Sequence, residues 1–521
     1  MTDESAAGLK SNREVKGGIK WFVYAVALSM GLFHLYTAGF GILDTLLQRS
    51  LHLGFALVLI FVIYPLSKKN PQKYWAIDLI LVVLSFAVTI YIWAFYNYVV
   101  SRITYFDSLT MADKILGVTI TVLVLESSRR TVGMPMVIIA LFFLGYGILG
   151  EYIPGTFQTP NIPLRKVIDT LYLSTAGIYG FPIGISSTFI FLFILFGAFL
   201  QVSGVGRLFT DVAFALTGKS KGGPAKAAVV SSALFGTIAG SATANVFATG
   251  SFTIPMMKRM GYKPEFAGAV EAAASCGGQF TPPVMGAAAF IMMEITDIPY
   301  VRICYAAALP AFLYYWTMYW TIHFEADKLR LGAMDMTGKP TLIQTIRRNG
   351  HLSFPLVALL ALLIMGYTPF MAAFMGIVSV PIVSLARRET WMGPRSLGQA
   401  IQIGVHNALP IVSACATAGI IMGVILLTGI GFKFVDILVA ISRDVFLLGL
   451  LLTAIASLIL GMGLPTTGAY ILVAALAAPA LVKMGLSLLA SHLFVFYFAI
   501  ISVITPPVAL ARKVGSPKES I

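Results

Sequence analysis

Long apolar runs, separated by short polar, basic or Gly/Pro-rich interruptions, fill most of this chain. The first run begins near Trp21 and predicts a membrane-crossing helix; it is too long for a signal-peptide core and no convincing cleavage site follows it. Spans are predicted next near 51–66, 75–99 and 132–149, with a weaker segment at 113–126 that ends in Glu126-Ser-Ser-Arg-Arg130. The stretch 151–183, holding Pro154, Pro160, Pro163 and Pro182, is irregular apart from one amphipathic piece at 164–175. A span at 184–202 leads to the break Ser203-Gly-Val-Gly206, a short helix to Leu216 and a basic turn at 219–224. From Pro224 to Met260 the residues are small and apolar, cut at Gly240; the piece is too short for two crossings and suits a re-entrant hairpin. A proline-broken helix (264–296) and a span (300–321) follow. Beyond a charged loop at 323–350 come spans near 352–366 and 369–386, an amphipathic helix at 396–407 and a span at 409–427. The segments 445–462 and 465–484 predict a second hairpin, and a helix at 486–502 breaks at Thr505-Pro506-Pro507.

Two parts of this pattern are copies of each other. Pro255, Gly261 and Thr281 find Pro479, Gly485 and Thr505 at a constant separation, since 479−255, 485−261 and 505−281 all equal 224. Ser203-Gly-Val-Gly206 with Asp211 finds Thr428-Gly-Ile-Gly431 with Asp436 at 225. Gly240-Ser-Ala-Thr-Ala-Asn245 occupies the place taken later by Gly461-Met-Gly-Leu-Pro-Thr-Thr-Gly468. The expected fold is therefore an all-α polytopic membrane protein with a duplicated repeat, two re-entrant hairpins and two proline-broken helices. Its expected divisions are a polar N-terminus (1–18), a helical unit (19–150), an irregular connector (151–183), a first repeat (184–322), a charged linker (323–350), a second repeat (351–511) and a polar tail (512–521).

Composition narrows the class. The 521 residues are 58% hydrophobic and 11% charged, too apolar for a soluble core. The formal charge of +14 implies cytoplasmic loops facing anionic lipid better than it implies nucleic-acid binding. Lys10, Arg13 and Lys16 lie two crossings from the basic loop at 68–73, which predicts a cytoplasmic N-terminus. Cys276, Cys304 and Cys415 sit in apolar segments at unrelated spacings and form no disulfide framework. No Walker A loop, zinc motif or nucleophile elbow occurs, so ATP-driven pumping is excluded and catalysis unsupported.

The candidate chemistry lies where helices are interrupted. Pro282 and Pro283 have no N–H, so the carbonyls of Gly278 and Gln279 lose helical donors; Pro465 does the same to Gly461, and Pro506 and Pro507 to Ser502 and Val503. An unsatisfied carbonyl in hydrocarbon costs several kcal/mol, so broken backbone survives there only where it lines a cavity or is buried in protein. Paired breaks in two halves point to a carrier's midplane site. The expected cation ligands are Gly240, Ser241, Thr243 and Asn245 with Gly277, Gly278 and Thr281, and in the second copy Gly461, Gly463, Thr466 and Thr467 with Ser502 and Thr505. Neutral oxygens of this kind suit Na⁺, with no transition-metal site, while Asn245, Pro282, Pro283, Pro465, Pro506 and Pro507 are the expected substrate-facing positions. The same small residues would also permit close helix packing; their matched recurrence favours a site. Glu271, Glu294 and Asp297 are intramembrane or near-membrane acids and weaker candidates. His34, His406 and His492 are isolated in sequence and have no metal-ligand spacing.

These motifs, with Ser275-Cys-Gly-Gly-Gln-Phe-Thr-Pro-Pro-Val-Met-Gly286 and Ala418-Gly-Ile-Ile-Met-Gly423, make residues 184–511 similar to the membrane component of a TRAP (tripartite ATP-independent periplasmic) transporter. More narrowly the chain resembles the TAXI branch, in which small and large membrane subunits are fused; 19–150 would be the small-subunit-like scaffold. The resemblance implies an elevator-type secondary transporter, related to the ion-transporter superfamily, in the bacterial inner membrane. It would import organic anions, usually carboxylates, coupled to Na⁺ or in some members to H⁺, with no other cofactor, and be fed by a periplasmic TAXI-type binding protein. Alternatives are a stand-alone carboxylate carrier and a non-functional permease fragment. After Thr505-Pro506-Pro507 only Val508-Ala-Leu-Ala511 precedes Arg512-Lys513, which predicts a truncation or a second chain supplying the closing spans.

Overall fold

The computed structural model describes residues 13, 15–67, 69–333, 341–442 and 445–505. Among them every regular element is helical, and seven helices are long and apolar enough to cross a membrane. The chain divides into two compact units, Met1–Phe191 with Val405–Phe496, and Leu192–Gly404 with Tyr497–Ile521.

In the first unit the helix Thr45–Ile63 is the most enclosed of the N-terminal set; its Asp44 cap accepts the Leu46 N–H at 3.0 Å. Gly54 lets Trp75–Ala94 close on it, since a Cβ there would lie 2.8 Å from the Thr89 methyl. The helix Met111–Thr131 is weak in hydropathy, and it buries Asp113, Ser127, Ser128 and Arg130. Asp113 closes a capping box with Thr110 and accepts the Tyr91 and Tyr98 hydroxyls, both at 2.8 Å. At the other end Arg130 reaches Asp78 at 2.6 Å and Glu126 at 2.7 Å. The connector holds two 3₁₀ turns and the amphipathic helix Leu164–Tyr172.

Sequence predicts two elements at 396–407 and 409–427; the structure has one helix, Pro394–Thr428, running through Pro410. A single proline removes one donor, which a buried helix tolerates, whereas tandem prolines remove two in succession. Its Gly419 and Gly423 press on the Gly177 backbone, so the Ala418–Gly423 motif serves close packing: a Cβ on Gly419 would lie 3.1 Å from the Ile178 Cα. His34, isolated in sequence, meets His52 (Nε2 to Nδ1, 2.8 Å), which in turn meets Ser186 at 3.0 Å. The hairpin of this unit is Phe446–Gly461, Thr466–Leu476 and Ala478–Lys483, interrupted at Ala477 ahead of Pro479.

In the second unit Gly223–Ala239 and Ala242–Arg259 form a helical hairpin packed on Pro264–Gly277. Ala225, Ala228, Ala267 and Ala274 line this core, and their small side chains let the helices approach closely. The duplication is visible in the backbone itself. Left-handed glycines recur at matched places: Gly204 and Gly429 (φ 95 and 65), Gly261 and Gly485 (100 and 95), Gly240 and Gly463 (61 and 79). Only glycine adopts such φ values at little cost, so the repeated landmarks are repeated backbone turns.

Candidate functional site

The site is built on one interrupted helix. Pro264–Gly277 ends in a single 3₁₀ turn, Gly278–Phe280, and helix resumes only at Ala287–Thr296. Thr281, ahead of Pro282, is pushed to extended backbone (φ −92, ψ 117), as a residue before proline should be. Gly278 O, which loses its helical donor to this break, takes the Thr281 N–H at 3.3 Å, and side chains bond carbonyls of the turns before it. Tyr314 and Tyr315 donate to Ala273 and Ala274 at 2.9 and 2.8 Å, and Thr281 donates its hydroxyl to Gly277 at 2.7 Å. Gly286 N–H closes the far side by donating to Gln279 O at 2.6 Å. Buried Met285 carries a left-handed φ of 63, an outlier for a side chain of that size and a mark of an over-determined loop.

The hairpin tip meets this break. Gly240 turns the chain in the left-handed region, and Ser241 caps Ala242–Arg259 by accepting the Ala244 N–H at 3.4 Å while touching the Thr243 hydroxyl at 3.1 Å. Asn245 is fully buried and donates to Ser232 O at 2.8 Å, fastening one arm to the other. A Cβ at Gly240 would lie 3.0 Å from the Met285 carbonyl, and one at Gly286 would lie 3.2 Å from the Gly240 carbonyl. Tip and break are thus in backbone contact.

Gly240, Ser241, Thr243, Asn245, Gly277, Gly278 and Thr281 are therefore gathered at one place in the second unit, with Pro282 and Pro283 half-buried on the break. The second copy's tip lies in the first unit. Gly461 ends its helix, Gly463 turns left-handed and Pro465 caps Thr466–Leu476, with Thr467 buried and Thr466 partly so. Ser502 and Thr505 belong to the second unit, where their hydroxyls donate to Ala499 at 2.7 Å and Ile501 at 2.8 Å. Pro506 and Pro507 lie outside the described residues.

Sequence reasoning passed over the residues around Glu271. This acid is completely buried; Thr249, Thr253, Ser232 and Ser275 all turn their hydroxyls to it. The signal was present: Asn245, Thr249 and Thr253 recur every fourth residue on one helix face. Glu294 and Asp297 are exposed, Asp297 ending its helix at φ 53, and Asp436 pairs with Lys483 on the surface at 2.8 Å. His492 is bound by the Tyr470 hydroxyl at 2.8 Å.

Residues 119–516 match the family model described as tripartite ATP-independent periplasmic transporter, DctM component. The C4-dicarboxylate TRAP transporter large permease protein DctM of Pseudomonas aeruginosa is 32% identical over 142 residues, covering 27% of this chain and 33% of that protein. Its namesake in Vibrio cholerae is 36% identical over 120 residues, 23% of this chain and 25% of that protein. The isethionate TRAP transporter permease protein DctMQ of Oleidesulfovibrio alaskensis is 38% identical over 91 residues, 18% of this chain and 14% of that protein. These matches span about a third or less of each relative's length. With the family model matching well over half of its length, the chain belongs to the tripartite ATP-independent periplasmic transporter family, DctM component, and is a multi-pass membrane protein.

Proposed function

We propose that the chain is a secondary, cation-coupled importer of organic anions, working in the inner membrane with a periplasmic substrate-binding protein of the TAXI type. The observation that carries this reading is the backbone contact between the Gly240 tip and the Gln279–Gly286 break, which concentrates peptide and hydroxyl oxygens at a helix interruption. Such neutral oxygens favour Na⁺ as a coupling ion. The hairpins would then be re-entrant and move with the broken helices, and the second copy would contribute through Gly461–Thr467, Ser502 and Thr505. The substrate class is supported by relatives named for C4-dicarboxylates and isethionate, both small anions. A cytoplasmic N-terminus is supported by Arg13, whose guanidinium bonds the Pro71 carbonyl at 2.6 Å, joining two basic segments at one end of the first unit.

The test is uptake by the purified chain in proteoliposomes, with C4-dicarboxylates and isethionate as probes. Each cation gradient is imposed in turn, and the cognate binding protein is added or withheld. Accumulation requiring both an inward cation gradient and the binding protein is expected. Equal uptake without the binding protein would make the chain a stand-alone carrier, and uptake indifferent to every gradient would end the coupled reading.

A further inference from the structure

The Glu271 carboxyl is completely buried on Pro264–Gly277, one helical segment before the break, and among the described residues no lysine, arginine or histidine pairs with it. A lone charge in such a place is costly, and intramembrane acids are retained for what they carry. We propose that Glu271 is a reversible proton-binding site of the permease, protonated and deprotonated within its hydroxyl cage. Its part in driving transport rests on the importer reading above.

The cage is made to satisfy both states. Thr253 Oγ1 lies 2.5 Å from Glu271 Oε2 and 2.9 Å from the Thr249 carbonyl; Thr249 Oγ1 contacts Glu271 Oε1 and lies 2.8 Å from the Asn245 carbonyl. Each hydroxyl has one hydrogen and at least two acceptors within reach. With the carboxylate ionised, the threonine hydrogens point to it. With the acid protonated, a threonine hydrogen returns to its main-chain carbonyl and the carboxyl hydrogen is accepted by the threonine oxygen. Ser232 and Ser275 lie 3.4 and 3.5 Å from Oε1 and 3.1 Å from each other, so each can turn its hydrogen to the acid or to the other serine. No buried group is orphaned in either state, so the swing needs only hydroxyl rotation. The cage also reaches the tip: Thr249 Oγ1 is 3.3 Å from Asn245 Oδ1, and Asn245 grips Ser232 O.

The neighbouring ionisable groups leave the site to itself. Tyr315, on Tyr300–Lys328, faces the acid but donates to Ala274 O. Lys226, on Gly223–Ala239, is held by His323 at 3.0 Å and lies over the Tyr319 ring. Lys258 and Arg259 stand in the last turn of Ala242–Arg259, and Cys276 is a buried thiol on the acid's own helix.

The experiment is a pH titration of the full chain in lipid nanodiscs by infrared spectroscopy, following the protonated-carboxyl band and subtracting the Glu271→Gln spectrum. A single-proton transition is expected, unchanged when NaCl replaces KCl and absent in the variant. Thr253→Val keeps the carboxyl and removes a donor to its charged form, so it should move the midpoint up by about one pH unit even where Glu271→Gln folds poorly. A band that never titrates while the protein stays folded, or one that NaCl removes, would overturn the proposal and leave the importer reading standing. Loss of gradient-driven uptake with the titration intact would instead sink the importer reading alone.

Discussion

Gly236 and Gly278 meet backbone to backbone, so closely that a Cβ built on Gly278 would lie 2.5 Å from the Gly236 Cα. One belongs to the hairpin arm and the other to the turn at which the helix breaks. The tip is therefore seated on the break by the absence of two side chains, and neither position can relax away, since both opposing atoms are main chain. Gly278→Ala should destabilise the purified protein by about 1–3 kcal/mol, the usual cost of overpacking, with uptake lost more completely than stability. Gly145→Ala, where a Cβ meets nothing within 4 Å, is the control and should leave both thermal unfolding and uptake unchanged.

The hydroxyls at the two tips carry a separate expectation. Thr243 touches Ser241 at 3.1 Å in the first tip, and Thr467 is buried in the second. Valine keeps the shape of threonine and removes the oxygen. Thr243→Val together with Thr467→Val should raise the cation concentration needed for half-maximal uptake about tenfold or more, as loss of one or two polar contacts does. A matched pair of Thr→Val changes on exposed faces, such as Thr119 and Thr317, should leave that concentration unmoved. Equal effects would remove the coordinating role of the tips.

The left-handed glycines make a prediction about backbone alone. Gly429 holds φ 65 at the break between Pro394–Thr428 and Ile430–Ser442, and nothing lies within 4 Å of where its Cβ would be. Gly429→Ala should then cost about 1–2 kcal/mol from conformation only. Gly429→Asn should recover most of that loss, since asparagine visits this region more readily. Denaturant titration in mixed micelles compares the two; equal losses would mean that packing, not φ, fixes the glycine.

How much of this was legible beforehand depended on the kind of signal. The break forced by the tandem proline at 282 and 283 was legible, because the missing N–H groups act locally whatever surrounds them. So was the hairpin turn at Gly240. The continuity of Pro394–Thr428 was not, because one proline at 410 weakens a helix without deciding whether burial holds it together. The His34–His52–Ser186 chain and the Glu271 cage were invisible as pairs, with partners up to 134 residues apart. Nothing in local composition tells a helix which neighbour it will meet. The helix Met111–Thr131 shows the same limit: Asp113 takes the Tyr91 and Tyr98 hydroxyls and Arg130 pairs with Asp78, partners that no local pattern names.

Asp78 offers the most direct test of how the first unit is held. It lies in the first turn of Trp75–Ala94, where a carboxylate is favoured, and its side chain is 1% exposed. Arg13 reaches one oxygen at 2.5 Å and Arg130 the other at 2.6 Å. Arg130 keeps a second carboxylate, Glu126, but among the described residues Arg13 has only the Pro71 and Val62 carbonyls and the Trp75 ring besides. Removing the acid therefore strands one buried guanidinium more than the other. Asp78→Ala should cost roughly 3–5 kcal/mol, the range for breaking a buried pair by deleting one partner. Adding Arg13→Gln to it should restore about 1 kcal/mol or more, because the stranded charge goes with its cause. Unfolding of the single and double variants in mixed micelles measures the difference. If the double variant is less stable than Asp78→Ala alone, Arg13 contributes through its carbonyl and ring contacts rather than through the ion pair.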